Sequence, residues 1–323
     1  MLRGLLFSVL MVLGACQLAG AGPAGQIQPK FFELQVEHQA LRMAYRDLAP
    51  TAAPNGRTVV LLHGKNFSGF YWERVMTMLA AQGFRVIAPD QLGFGASSRP
   101  ELHYSFHQMA GTTRALLDSL GITEIRLVGH SMGGMVAVRF ALLYPEMVKQ
   151  LVLENPIGLE DYRLLAPYVP LDEQVRRERA ATYEAYKNYQ KGYYTAWKPE
   201  YEAYVQDQAA ILTSGEFPRA ALAAALTYAM IYEQPVVYEL PKLAMPTLLI
   251  IGQADRTAVG KAQMAPAQRA VAGNYPELGR RTRDAIPHAT LVPVANVGHI
   301  CHIENPGAFD AALLGFLQPP VPD

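Results

Sequence analysis

The chain has 323 residues, half of them apolar and 17% charged, with 28 basic and 28 acidic side chains. A neutral chain with so large an apolar share can bury a substantial core. It lacks the basic field by which nucleic acid is held and carries no run of like charges, which excludes a nucleic-acid partner from the expectations.

Arg3 opens a short positive segment, and residues 5–13 (LLFSVLMVL) form an apolar run. A run of nine residues is too short for a bilayer core of about 30 Å, so it reads as a secretory signal and not as a transmembrane helix. The sequence Leu13-Gly14-Ala15-Cys16 resembles the lipobox of bacterial lipoproteins. That resemblance implies removal of residues 1–15, acylation of Cys16 and, with Gln17 next, sorting to the periplasmic face of the outer membrane. Membrane contact is then expected only through the N-terminal anchor. The alternative is cleavage near Ala19 or Ala21, with Cys16 discarded. Either way Cys301 is the single cysteine left. No disulfide is expected, and the exported protein rests on its core.

Residues 16–30, rich in Gly, Ala, Pro and Gln, read as a flexible tether. From Phe31 the pattern alternates, and FELQVEH and ALRMAYRDL about a turn near residues 38–39 predict two paired strands. Short β-rich apolar runs follow at 59–62, 85–88, 125–128, 151–153, 247–251 and 290–294, each trailed by a helical stretch. Such runs suit strands buried on both faces, and their alternation with helices predicts an α/β fold with a mainly parallel sheet. Residues 156–242 interrupt the series. Helical spacing covers 172–191, 199–214 and 218–232, and twelve of the seventeen tyrosines fall in this stretch. It is expected to form a helical cap between a first part of the core, 31–155, and a second, 243–323. The tyrosines fit either the cap's own core or an aromatic acyl pocket.

The segment Gly129-His130-Ser131-Met132-Gly133 follows the strand 125–128 and precedes a helical run at 135–144. Three fixed positions of the G-x-S-x-G kind arise by accident in roughly one chain in ten of this length, so the flanking strand and helix carry the reading. Strand–turn–helix is the setting of a nucleophile elbow, in which a serine hydroxyl stands exposed on a turn too tight for side chains beside it. Serine needs a base, and the base an orienting acid. His299, in Asn296-Val297-Gly298-His299 after the strand 290–294 and before a final helix at 307–317, is the candidate base, with His302 its competitor. Asp255, in Gly252-Gln253-Ala254-Asp255 after the strand 247–251, is the candidate acid. Glu154, at the end of the strand 151–153, is the alternative acid.

Over residues 31–317 the sequence resembles the α/β-hydrolase superfamily. The landmarks are His63-Gly64, Pro89-Asp90-Gln91-Leu92-Gly93-Phe94-Gly95, the Ser131 motif with Gly134, Gly252-Gln253-Ala254-Asp255 and Gly298-His299. Their order, Ser131 then Asp255 then His299, is that of this superfamily's triad. The resemblance implies an oxyanion hole made by the backbone N–H groups of Met132 and Lys65, with Asn66 as the alternative to Lys65. It also implies a structural role for His63. Lys65 departs from the small or apolar residue that relatives carry there. A solvated lysine, a pair with an acid such as Glu73, and selection of an anionic substrate all remain open. Haloalkane dehalogenases and epoxide hydrolases of this fold use aspartate where Ser131 stands. Cys301 is expected to pack near His299 without a role in chemistry.

The expected activity is hydrolysis of a small-molecule carboxylic ester through an acyl-enzyme, with no cofactor and no metal. Amide or peptide hydrolysis, lactone opening and carbon–carbon cleavage use the same residues, and a ligand receptor keeping the fold without turnover is the alternative of another class. The sequence does not indicate an oligomeric state.

Overall fold

The computed structural model describes residues 27–318. The signal segment, Cys16 and most of the tether lie outside the described residues. Eight strands form one sheet: β1 (Lys30–Val36), β2 (Gln39–Leu48), β3 (Thr58–Leu62), β4 (Arg85–Pro89), β5 (Ile125–His130), β6 (Val148–Glu154), β7 (Thr247–Gly252) and β8 (Ala289–Val294). The strand order is β1-β2-β4-β3-β5-β6-β7-β8. β1 and β2 pair antiparallel, as do β2 and β4, and every later pairing is parallel. The hairpin turns on Glu37 and His38, one residue earlier than the sequence suggested, and both adopt positive φ (45° and 64°). A two-residue hairpin needs that backbone to follow the strand twist.

Eleven α-helices lie among the described residues: α1 (Glu73–Ala80), α2 (Phe106–Ser119), α3 (Met132–Leu143), α4 (Leu171–Arg179), α5 (Tyr183–Lys191), α6 (Glu202–Ala209), α7 (Phe217–Glu233), α8 (Pro266–Val271), α9 (Tyr275–Ala285), α10 (Cys301–Glu304) and α11 (Pro306–Leu317). None of the helices described is long and apolar enough to cross a membrane.

Alternation along each strand divides the core between the two faces of the sheet. Leu127, Leu151, Leu153, Leu249 and Ile251 pack on one side with α2 and α3 residues such as Leu116 and Val136. Val128, Val152, Leu248 and Ile250 pack on the other with Trp72, Phe309 and Leu313. All six residues of β7 are buried, as expected of a strand covered on both faces. Each such aliphatic side chain contributes about 1.5–3 kcal/mol of burial, enough to fix which residue of a pair faces which layer.

Helices α4 to α7 fall between β6 and β7, where the tyrosine-rich segment was expected. One difference is instructive. The spacing over 172–191 predicts a single helix, but the chain breaks between Arg179 and Tyr183. Thr182 takes extended backbone (φ −129°, ψ 165°) and its hydroxyl accepts the Ala185 N–H at 3.1 Å, starting α5 afresh.

Candidate active site

The parallel strands β3, β5, β6, β7 and β8 all end at the same edge of the sheet, so the turns leaving them converge in one crevice. At the end of β5 the chain turns through Ser131 with φ 55° and ψ −121°, outside the usual regions for a side-chain-bearing residue. Such a conformation costs about 1–3 kcal/mol. The two motif glycines permit it. A β-carbon on Gly129 would lie 2.4 Å from the Gly133 carbonyl, and one on Gly133 would lie 2.2 Å from the Leu62 carbonyl.

Ser131 Oγ stands 3.0 Å from His299 Nε2, and His299 Nδ1 stands 2.7 Å from Asp255 Oδ2. The serine is 6% exposed, the acid 2% and the histidine 1%. The structure thus brings together the three residues singled out from separate loops. With Nδ1–H donated to Asp255, Nε2 is left as the acceptor facing the serine hydroxyl. Burial pushes the Asp255 carboxyl up, but the charge of His299 and hydrogen bonds from His299 and Thr257 hold it below its ordinary value. It is therefore a carboxylate over the working range.

Glu154, the alternative acid, does not reach His299. Its Oε1 accepts the His302 N–H at 2.8 Å, and Oε2 lies 2.8 Å from His302 Nδ1. The competitor base and the alternative acid hold each other, beneath the stacked ring of Trp72. The sequence offered no sign of the pair, since it depends on the turn that α10 makes after His299.

Asn155 was not singled out. It follows β6 with φ 36°, donates from Nδ2 to Asp255 Oδ2 at 2.7 Å and accepts the Gly252 N–H on Oδ1 at 3.0 Å. It fixes the acid's orientation from the neighbouring strand. Cys301 lies against it, its thiol 3.2 Å from Asn155 Oδ1, and burial pushes that thiol well above its ordinary range. A thiol so held stays protonated and is no nucleophile.

On the opposite side of Ser131 runs the loop after β3. A β-carbon on Gly64 would come within 2.9 Å of Ser131 Cβ, which explains the glycine at that position. The next residues make a tight turn, closed by the Phe67 N–H on the Gly64 carbonyl at 3.3 Å, with Asn66 at φ 77°. Among the described residues the backbone N–H groups of Met132, Lys65 and Asn66 alike have no acceptor within the protein. His63 clips the loop down: Nδ1 donates to the Gly64 carbonyl at 2.9 Å and Nε2 accepts the Gln91 N–H at 2.8 Å.

Between serine and loop lies a further relay. The Tyr71 hydroxyl accepts the Gly64 N–H at 2.9 Å and donates to His130 Nδ1 at 3.0 Å. His130 Nε2–H donates to the His299 carbonyl at 3.0 Å. Burial, with His299 and His302 close by, pushes His130 well below the ordinary imidazole value, so it serves as a neutral strut.

Lys65 corrects an expectation. It neither pairs with Glu73 nor stands in solvent. Its Nζ lies 3.6 Å from Glu178 Oε1 on α4, and both side chains are only 17% exposed. Glu73 is engaged by Arg46 at 3.1 Å. The tyrosines divide as well. Tyr193 stacks on the His299 ring at 4.9 Å and so lines the site, whereas Tyr194 and Tyr201 stack on each other at 4.1 Å as buried packing. Among the described residues no three His, Cys, Asp or Glu side chains converge as a metal site.

The sequence matches the alpha/beta hydrolase fold family over residues 57–306, and the chain belongs to that family. A crystal structure from Pseudomonas aeruginosa PAO1, described as a "probable hydrolytic enzyme", is 46% identical and superposes with a TM-score of 0.90, covering 92% of this chain and 96% of that one. A Pseudomonas syringae protein whose name assigns it to carbamate hydrolysis is 29% identical over 280 residues, 81% of this chain and 93% of its own. An uncharacterised Mycobacterium tuberculosis protein is 36% identical over 137 residues, 42% of this chain. The chain spans about two fifths of that relative's length, 38%. An esterase from Exiguobacterium antarcticum, 20% identical with a TM-score of 0.68 over 88% of this chain and 98% of that one, shares the fold.

Proposed function

We propose that this protein is a serine hydrolase of carboxylic esters working through an acyl-enzyme. The observation that carries the reading is the continuous relay from Ser131 Oγ through His299 to Asp255, at 3.0 and 2.7 Å. Ser131 attacks the acyl carbon as His299 takes its proton, and Asp255 holds the imidazole and balances its charge. The oxyanion forms against the N–H groups of Met132 and Lys65. One such donor is worth about 100- to 1000-fold in rate, because it acts where charge develops. His299 then protonates the leaving alcohol, and water repeats the sequence to release the acid.

Two named relatives suggest other substrates. A Siraitia grosvenorii relative, 35% identical over 120 residues, is called an epoxide hydrolase. Relatives of that activity carry aspartate where this chain has Ser131. The carbamate reading is the second to test, because the Pseudomonas syringae alignment covers 81% of the chain. A carbamate carbonyl offers Ser131 the same tetrahedral chemistry. Release of p-nitrophenol from acetyl to palmitoyl esters, wild type against Ser131→Ala, tests the ester reading. Turnover abolished by the substitution supports it, whereas carbamate turnover without ester turnover replaces it.

The proposal extends to export: residues 1–15 are removed and Cys16 is acylated, anchoring the mature protein at the outer membrane. Mass spectrometry of the mature N-terminus is expected to find lipid on Cys16. An unmodified N-terminus at residue 20 or 22 would contradict this.

A further inference from the structure

The loop after β3 is held by two different bodies. At its ends it is tied to the core: the Gly64 N–H to the Tyr71 hydroxyl at 2.9 Å, the Gly69 N–H to Asp90 Oδ1 at 2.7 Å. Between them stand three polar side chains, and each is held by the helical segment between β6 and β7. Lys65 faces Glu178 of α4 at 3.6 Å. Asn66 Nδ2 donates to the Tyr193 hydroxyl, just after α5, at 3.2 Å. Ser68 Oγ donates to Asp207 Oδ2 of α6 at 2.9 Å. Three ties, from residues 65, 66 and 68 to three separate places in the cap, span the backbone that carries either candidate for the second oxyanion donor, Lys65 or Asn66. Tyr193 doubles the coupling. Its carbonyl accepts the His299 N–H at 2.6 Å and its ring stacks on the imidazole.

We propose that the cap positions the oxyanion loop. Glu178, Tyr193 and Asp207 hold Lys65, Asn66 and Ser68 so that the loop's N–H meets the oxyanion formed on the Ser131 adduct. This rests on the serine-hydrolase reading and adds to it. These cap residues are positioning residues, and their loss is felt in the rate of the chemical step. A cap that only enclosed substrate would be felt in affinity. The physical reason is distance tolerance: an oxyanion donor acts only near 2.7–3.1 Å, so a loop freed at one tie loses transition-state stabilisation before it loses binding.

The test is phosphonylation of Ser131 by a fluorophosphonate, with the limiting rate kinact separated from the half-saturation constant KI. The probe builds its oxyanion in the same hole whatever the natural substrate. Tyr193→Phe and Asp207→Ala are each expected to lower kinact about 3- to 10-fold with KI within about twofold, and the double variant about 10- to 100-fold, approaching loss of a whole donor. Asp207→Asn keeps an acceptor for Ser68 and restores most of the rate. Unchanged kinact with KI raised in the three variants would overturn the proposal, leaving the cap a binding lid. A loss shared equally by Asp207→Ala and Asp207→Asn, tracking lowered Tm, would also overturn it, as general instability. A wild-type protein that is folded yet unlabelled at Ser131 fails on a different count, the nucleophile itself.

Discussion

Two buried carboxylate–imidazole pairs sit side by side at the edge of this sheet. Asp255 and His299 meet at 2.7 Å, Glu154 and His302 at 2.8 Å, and none of the four side chains is more than 2% exposed. Their histidines are three residues apart, and each carboxylate follows or ends a parallel strand. They differ at the far nitrogen. His299 Nε2 reaches Ser131 Oγ, whereas His302 Nε2 has no hydrogen-bond partner among the described residues and its ring lies under Trp72 at 4.1 Å. Glu154 also accepts the His302 backbone N–H, which pins the chain just beyond His299. Both pairs are a carboxylate and an imidazole, equally buried and equally close; the group met by the second ring nitrogen and the backbone bond to Glu154 make one a relay and the other a clamp.

Substitutions should separate the two pairs sharply. Ser131→Ala or His299→Ala is expected to lower kcat on an ester by about 10⁴- to 10⁶-fold, measured as p-nitrophenol release. Asp255→Asn should lower it by about 10³- to 10⁴-fold, because an amide lets the imidazole take the wrong tautomer. Glu154→Ala leaves His302 buried without its carboxylate. It should reduce unfolding free energy in a urea titration by about 3–5 kcal/mol while kcat stays within about tenfold. A triad-sized kinetic loss there, with stability intact, would merge the two pairs into one machine. Asn155→Ala should be milder on both counts. It removes one bond to Asp255 and orphans the Gly252 N–H, costing about 1–3 kcal/mol.

The smallest effect concerns pH at the cap. Burial pushes Asp207 up to about 6 from 3.8, so the folded protein holds that proton more tightly than the unfolded chain. Stability contributed by this group is therefore full below pH 3.8 and declines as pH rises towards 6; above that the ionised carboxylate is carried as a cost. Asp207→Asn should raise Tm by about 2–4 °C at pH 8 and leave it unchanged at pH 3.5, in paired melts.

The elements that position chemistry were legible because each is a short apolar run followed by a turn motif, and both signals are local. The elbow could be read from Gly129 and Gly133, whose absent side chains are required by carbonyls a few ångströms away. His299 and Asp255 could be read because they follow buried strands directly. What could not be read is mostly contact between distant stretches. Asn155 is one asparagine after a strand until β7 is laid beside β6. The partner of Lys65 sits in a helix whose docking no periodicity specifies, so solvation, a nearby acid such as Glu73 and an anionic substrate all stayed open. The break before α5 did leave a signal, Thr182 followed three residues later by its capped N–H, but Ala180 and Ala181 beside it suit a continuous helix.

The most direct test is a pre-steady-state burst on a p-nitrophenyl ester, quenched within the first turnover and followed by mass mapping of the labelled peptide. A burst near one equivalent per chain, with the acyl group on Ser131 and none in Ser131→Ala, is the predicted result. Turnover with no acyl group on Ser131, or undiminished in Ser131→Ala, would contradict the account.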